Sequence, residues 1–114
     1  MKDNITVHHY QSSSGKDVIQ SYIEKLTKDE QVDAYHVLQN FQNGETDLLT
    51  IKPWKGKIKE VYFYKNNRFF YITAHGTDIY ILHACRKQKN KTEKKDAKIV
   101  RRRLKELMSM LKSQ

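Results

Sequence analysis

Residues 58–87 read IKEVYFYKNNRFFYITAHGTDIYILHACRK, and this stretch decides the fold. Ile58, Glu60, Tyr62 and Tyr64 alternate with Lys59, Val61 and Phe63, the two-residue period of a strand with two distinct faces. Asn66-Asn67 is a turn signal of hairpin type. Arg68 to Ala74 is a second run rich in aromatic and β-branched residues, His75 to Thr77 turn the chain again, and Asp78 to Cys85 form a third run. Three strands in succession with tight turns predict an antiparallel meander.

On the N-terminal side, Ile5, Val7 and His9 alternate with Thr6, His8 and Tyr10, which predicts a short strand. Ser14 is positioned to cap a first helix, with Asp17 three residues on, and Val18, Ile19, Tyr22, Ile23 and Leu26 mark one helical face. Thr27-Lys28-Asp29-Glu30 is a capping box that restarts the helix in a new direction. Ala34, Tyr35, Leu38 and Phe41 give that second helix its apolar face, and Asn43-Gly44 ends it. A connector runs through Pro53 to the meander. Beyond the meander, Ala97, Val100, Leu104, Leu107 and Leu111 repeat at 3-4-3-4 spacing, so a last helix starts near Thr92 or Glu93. The predicted class is α+β in the order β-α-α-β-β-β-α: a small antiparallel sheet with an N-terminal helical hairpin packed on it, one domain over residues 1–114.

The charge along this chain is uneven. Residues 1–51 hold four Lys/Arg against eight Asp/Glu, whereas residues 52–114 hold eighteen against five, so a net −4 faces a net +13. The third meander strand runs directly into Arg86-Lys87-Gln88-Lys89-Asn90-Lys91, and the last helix carries Lys94, Lys95, Lys98, Arg101, Arg102, Arg103 and Lys105 around its apolar stripe. A strand that delivers cations to its own end, beside a cationic helix, suits a polyanion such as nucleic acid.

Other features narrow the chemistry. Cys85 is the one cysteine, so there is neither an intramolecular disulfide nor a Cys-based zinc cage. Met1 to Val7 contain no apolar stretch of signal-peptide length, and no segment approaches a membrane span, so a cytoplasmic protein without a membrane partner is expected. His8 and His9 are adjacent and therefore on opposite strand faces, while His36 and His75 have no ligand partners nearby in the sequence. No metal and no cofactor are expected. Walker, dinucleotide, G-x-S-x-G and H-E-x-x-H motifs are all missing, which counts against nucleotide- and metal-dependent enzymes.

Any chemistry must then run on Arg, Lys, His, Tyr and Glu. RNA suits that set because its 2′-hydroxyl is a built-in nucleophile. Arg68 opens the second meander strand, where it either holds a phosphate or solubilises the hairpin. His83 alternates with Ile79, Ile81 and Cys85, so it is either a satisfied, half-buried histidine or a proton carrier just before the cation loop. Lys57 and Lys59 share a face of the first meander strand and add to the same anion site; Glu60 is a general base or an ion-pair partner.

Three groups of residues resemble the RelE/ParE superfamily of toxins, in its HigB-like, phage-derived branch: Ile58-Lys59-Glu60-Val61-Tyr62; Asn67-Arg68-Phe69-Phe70-Tyr71; and Tyr80 to Lys87 with Lys91-Thr92. The resemblance covers about residues 52–112. It implies the toxin of a type II toxin–antitoxin system, an mRNA interferase that cleaves without metal, often on the translating ribosome. It also implies a helix-turn-helix, HigA-like antitoxin that neutralises the toxin and represses the operon by binding operator DNA. Position by position, Arg68 matches the family's strand Arg, His83 its His, and Lys87 and Lys91 its loop cations. Tyr62 stands where the family has Arg, Cys85 where it has Phe, and Glu93 where it has Pro. On this reading Arg68, Arg86 and Lys87 hold the scissile phosphate, His83 or a nearby Tyr moves the proton, and Lys57, Lys59, Lys89 and Lys91 draw in RNA. A gyrase-inhibiting relative on the same fold and a non-catalytic RNA- or ribosome-binding module are the two alternatives.

Overall fold

In the computed structural model, which describes residues 4–87, 92 and 94–112, β1 (Thr6–His9) is followed by α1 (Val18–Glu24) and α2 (Lys28–Gln42). A short 3₁₀ turn (Thr46–Leu48) leads into β2 (Thr50–Lys55), β3 (Ile58–Phe63), β4 (Asn67–Ala74) and β5 (Asp78–Arg86), and α3 (Lys94–Lys112) closes the fold. The α+β expectation holds, with one more strand than the sequence predicts. The segment through Pro53 is β2, paired antiparallel with β3 at the sheet edge. Proline, lacking an N–H, is tolerated there because an edge strand needs hydrogen bonds on one side only, and the register shifts between Pro53 and Lys55.

The sheet order is β1-β5-β4-β3-β2. β2 to β5 form the antiparallel meander, and β1 returns parallel to β5, with Val7 opposite Ile79 and His9 opposite Ile81. Thr27 makes the expected capping box with Glu30. Asp17 itself caps α1, accepting from the Ile19 and Gln20 amides at 3.1 and 2.9 Å, so the helix begins beyond Asp17 rather than at Ser14.

Helices cover both faces of the sheet. On one face, Ile19 and Ile23 of α1 and Ala34, Val37 and Phe41 of α2 pack on Val61, Phe69, Tyr71, Ile79 and Ile81. On the other, Val100, Leu104 and Leu107 of α3 meet Ile58, Phe70, Ile72, Leu82 and Trp54. Tyr35 of α2, expected on the apolar face, is largely exposed, while Val37 takes its place inside.

A β-bulge in β5 sorts the site residues. Phe70 lies opposite His83 but Tyr71 lies opposite Ile81, leaving Leu82 as the extra residue. Leu82 and His83 therefore both turn toward α3. This corrects the expectation that His83 points with Ile79 and Ile81 as well as with Cys85: of the three, only Cys85 shares its face. Ile79 and Ile81 pack under the helical pair, whereas His83 stacks on Phe70, with ring centroids 6.2 Å apart, on the opposite face.

Candidate active site

Pleat and pairing bring together, on the α3 face, residues that are distant in the chain. Lys52, Glu60 and Tyr62 lie on neighbouring strands with Lys52 opposite Glu60, and Tyr62 is in turn opposite Arg68 and Arg68 opposite Cys85. Lys87 follows β5 directly, its amide donating to the Asn66 carbonyl at 2.7 Å, and its side chain turns back over Tyr62.

At the floor of this cluster Arg68 and Glu60 form a buried ion pair, 2% and 5% exposed respectively. The Arg68 guanidinium also lies over the Phe70 ring, 4.9 Å from its centroid, and its Nε has no hydrogen-bond partner among the described residues. Burial pushes the Arg68 pKa down, but Cys85, Glu60 and Tyr62 outweigh it and the net displacement is upward. Above the pair sits Tyr62. Its hydroxyl donates to the two Glu60 carboxylate oxygens at 3.4 Å each and accepts from Lys87 Nζ at 3.3 Å. The ammonium groups of Lys52 and Lys87 each lie 5.3 Å from the centre of the Tyr62 ring.

His83 closes the side of the cluster nearest α3. Its Nε2 meets Asp96 Oδ1 at 2.8 Å and its Nδ1 meets Arg103 Nη1 at 3.3 Å, while the same Nη1 donates to the Leu82 carbonyl at 2.9 Å. Guanidinium offers donors only, so Nδ1 is the acceptor and the proton sits on Nε2, donated to Asp96. Burial lowers the His83 pKa; the Asp96 carboxylate opposes this, and Arg103 and Arg68 add to it. The imidazole is neutral at pH 7.

His83, Cys85 and Asp96 lie close enough for a metal, their donor atoms all within 4.8 Å of one another. Their chemistry does not fit one. A metal on His83 Nε2 would put the proton on Nδ1, which would then face the Arg103 donor rather than an acceptor. Burial also pushes the Cys85 thiol up to about 11, so the protonated form is held.

Of the residues singled out from the sequence, Arg68, His83 and Lys87 come together here. Arg86 does not. It pairs with Asn67 and turns to the helical-pair face, where its guanidinium reaches Glu30 Oε2 at 2.7 Å and the Lys65 carbonyl at 3.0 Å. Lys59 alternates with Glu60 and so faces away from the cluster, exposed beside Pro53 and Tyr71. Lys57 is not on a shared face with it: it lies in the β2–β3 turn, with Nζ 3.9 Å from Met108 Sδ of α3. Lys89 and Lys91 fall outside the described residues. Lys52, Asp96 and Arg103 have no sequence motif that marks them. Tyr62 is visible only as a departure from the family's Arg.

A mixed sheet with two helices on one face, a third on the other and a cationic cluster at the strand ends is consistent with the RelE-like toxin fold. The sequence matches the family described as Phage derived protein Gp49-like (DUF891) over residues 21–105, about three quarters of the chain. The protein belongs to this family, a toxin family of toxin–antitoxin systems within the RelE/ParE-like superfamily, and membership implies an antitoxin partner. Among curated proteins, none matches the chain. No helix among the described residues is long and apolar enough to cross a membrane.

Proposed function

We propose that this toxin is an mRNA endoribonuclease of the HigB-like type that cleaves on the translating ribosome, without metal, and is held inactive by a helix-turn-helix antitoxin whose complex with it binds operator DNA. This reading puts the protein in the cytoplasm, with its substrate. The observation that carries it is the Tyr62 cluster: two ammonium groups over one aromatic ring, backed by a buried Arg–Glu pair. Cations beside a ring suit a phosphodiester and its base, since phosphate is held by charge and bases stack on aromatic faces.

RNA cleavage by the neighbouring 2′-hydroxyl asks little of a protein. It needs alignment, positive charge where the phosphorane develops, and groups that take and give a proton. Lys52 and Lys87 reach the surface and meet the phosphate. Arg68 is sequestered behind Glu60 and supplies positive potential from the floor instead of direct contact. His83, with both ring nitrogens engaged, orients the wall formed by α3.

The test is induction in cells followed by primer extension on cellular mRNA, alongside a plasmid supercoiling assay. New 5′ ends within reading frames with unchanged supercoiling are expected, and Lys52→Ala with Lys87→Ala should abolish both the ends and the growth arrest. Growth arrest with intact transcripts and altered DNA topology would replace this reading with gyrase inhibition. Tolerated expression would leave an RNA-binding module.

A further inference from the structure

We propose that Tyr62 is the residue that takes the proton from the attacking 2′-hydroxyl, with Glu60 as the base behind it and Lys87 as the donor to the leaving oxygen. This rests on the RNA-cleavage reading above.

His83 is the side chain the sequence offers for this task, and the geometry removes it. It is 8% exposed, and both nitrogens already have partners, Asp96 and Arg103. Glu60 has the right chemistry but is 5% exposed and cannot meet a substrate itself. Tyr62 connects it to the surface. The residue is half-buried, and its O–H points at both Glu60 oxygens. At 3.4, 3.4 and 3.3 Å, its contacts with Glu60 and Lys87 are longer than an ordinary hydroxyl hydrogen bond of about 2.7 Å, so an incoming hydroxyl displaces no short bond to either. Lys52 and Lys87 flank the ring and offset negative charge that builds on its oxygen. The Arg68 pair holds the Glu60 carboxylate in place.

In the cleavage step, the 2′-O–H proton passes to the Tyr62 oxygen as the Tyr62 proton passes to Glu60. The 2′-oxygen forms its bond to phosphorus, the P–O5′ bond breaks, and the 5′-oxygen takes a proton from the Lys87 ammonium. The products are a 2′,3′-cyclic phosphate and a 5′-hydroxyl. Glu60 has gained one proton and Lys87 has lost one, and solvent restores both.

The decisive comparison is Tyr62→Phe against wild type on ribosome-bound mRNA, with Tyr62→Ala and Lys87→Ala beside them. Phenylalanine keeps the ring and its stacking but loses the relay. Its kcat should fall about 10²- to 10⁴-fold with KM changed less than threefold and the melting temperature unchanged. A substrate with sulfur at the leaving 5′-position needs no proton there, so it should rescue Lys87→Ala and leave Tyr62→Phe impaired. Tyr62→Phe cleaving at the wild-type rate, with only Tyr62→Ala impaired, overturns the proposal in favour of a stacking role. A folded wild-type protein that cuts no RNA overturns the endoribonuclease reading itself, and this proposal with it.

Discussion

Glu30 shows how a single buried charge is kept. It is 2% exposed, yet it accepts from Asn67 Nδ2 at 2.6 Å, from Arg86 Nη2 at 2.7 Å and from the Thr27 hydroxyl at 2.9 Å. The Asn67 hydrogen bond leads in lowering its pKa from the ordinary 4.5 to about 2, against the opposing effect of burial. A carboxylate with a depressed folded-state pKa stabilises the fold fully above its unfolded value, and that contribution fades as pH falls from about 4.5 to about 2. The melting temperature should therefore drop through this window in wild type. In Glu30→Gln it should start lower at neutral pH and depend less on pH across the same range, as read by thermal unfolding monitored by circular dichroism. An unaltered acid limb in the variant would show that other carboxylates carry it. The strand pleat sends Arg86 to the face opposite Cys85, and this same carboxylate pairs with it there, so a residue that reads as part of the cation loop ends on the opposite face from Lys87.

Among the elements, the β3–β4 turn is a place where local conformation opposes residue type. Lys65 and Asn66 both have positive φ, at 63° and 65°. Asparagine tolerates this region but lysine is strained in it by about 1–2 kcal/mol. Lys65→Gly should thus raise stability by about 1 kcal/mol in urea unfolding, leaving the carbonyl that Arg86 uses in place. The same hairpin shows what the amino-acid order can reveal. Alternation marks β3, runs of apolar and β-branched residues between turn signals mark β4 and β5, and the Thr27 capping box marks the start of α2, because these signals are local. Pro53 hides β2, since a proline argues against a strand until its edge position is known. The bulge at Leu82–His83 carries no glycine or other signature, so the facing of His83 cannot be read from its neighbours. Of the candidate site, the strand Arg, the His and the first loop Lys are legible from family spacing. Lys52, Tyr62 and Asp96 join them only through sheet register and helix docking, which connect positions far apart in the chain.

At the scale of the molecule, the cations of the second half gather on α3 and around Tyr62, while Lys59 and Arg86 lie on the opposite face of the sheet. The helical pair built from residues 18–42 lies on one face, and α3 lies on the other with the Tyr62 cluster. Binding of a labelled single-stranded RNA should accordingly weaken with salt. Lys52→Ala combined with Lys87→Ala should make the log–log slope shallower by roughly 1.4, at about 0.7 for each phosphate no longer neutralised. Fluorescence anisotropy between low and physiological salt measures it, and an unchanged slope would place the RNA elsewhere. The parallel pairing of β1 with β5 also has a consequence for how the protein is made. The first strand of the sheet pairs with the last in chain order, so Thr6–His9 wait through synthesis until Asp78–Arg86 have appeared. Pairings of such long sequence separation are the slow ones to form. A nascent chain holding the helical pair and most of the meander still lacks Lys87, Asp96 and a seated β1. The side-chain cluster around Tyr62 is thus completed only once Lys87 has been made, after all five strands of the sheet.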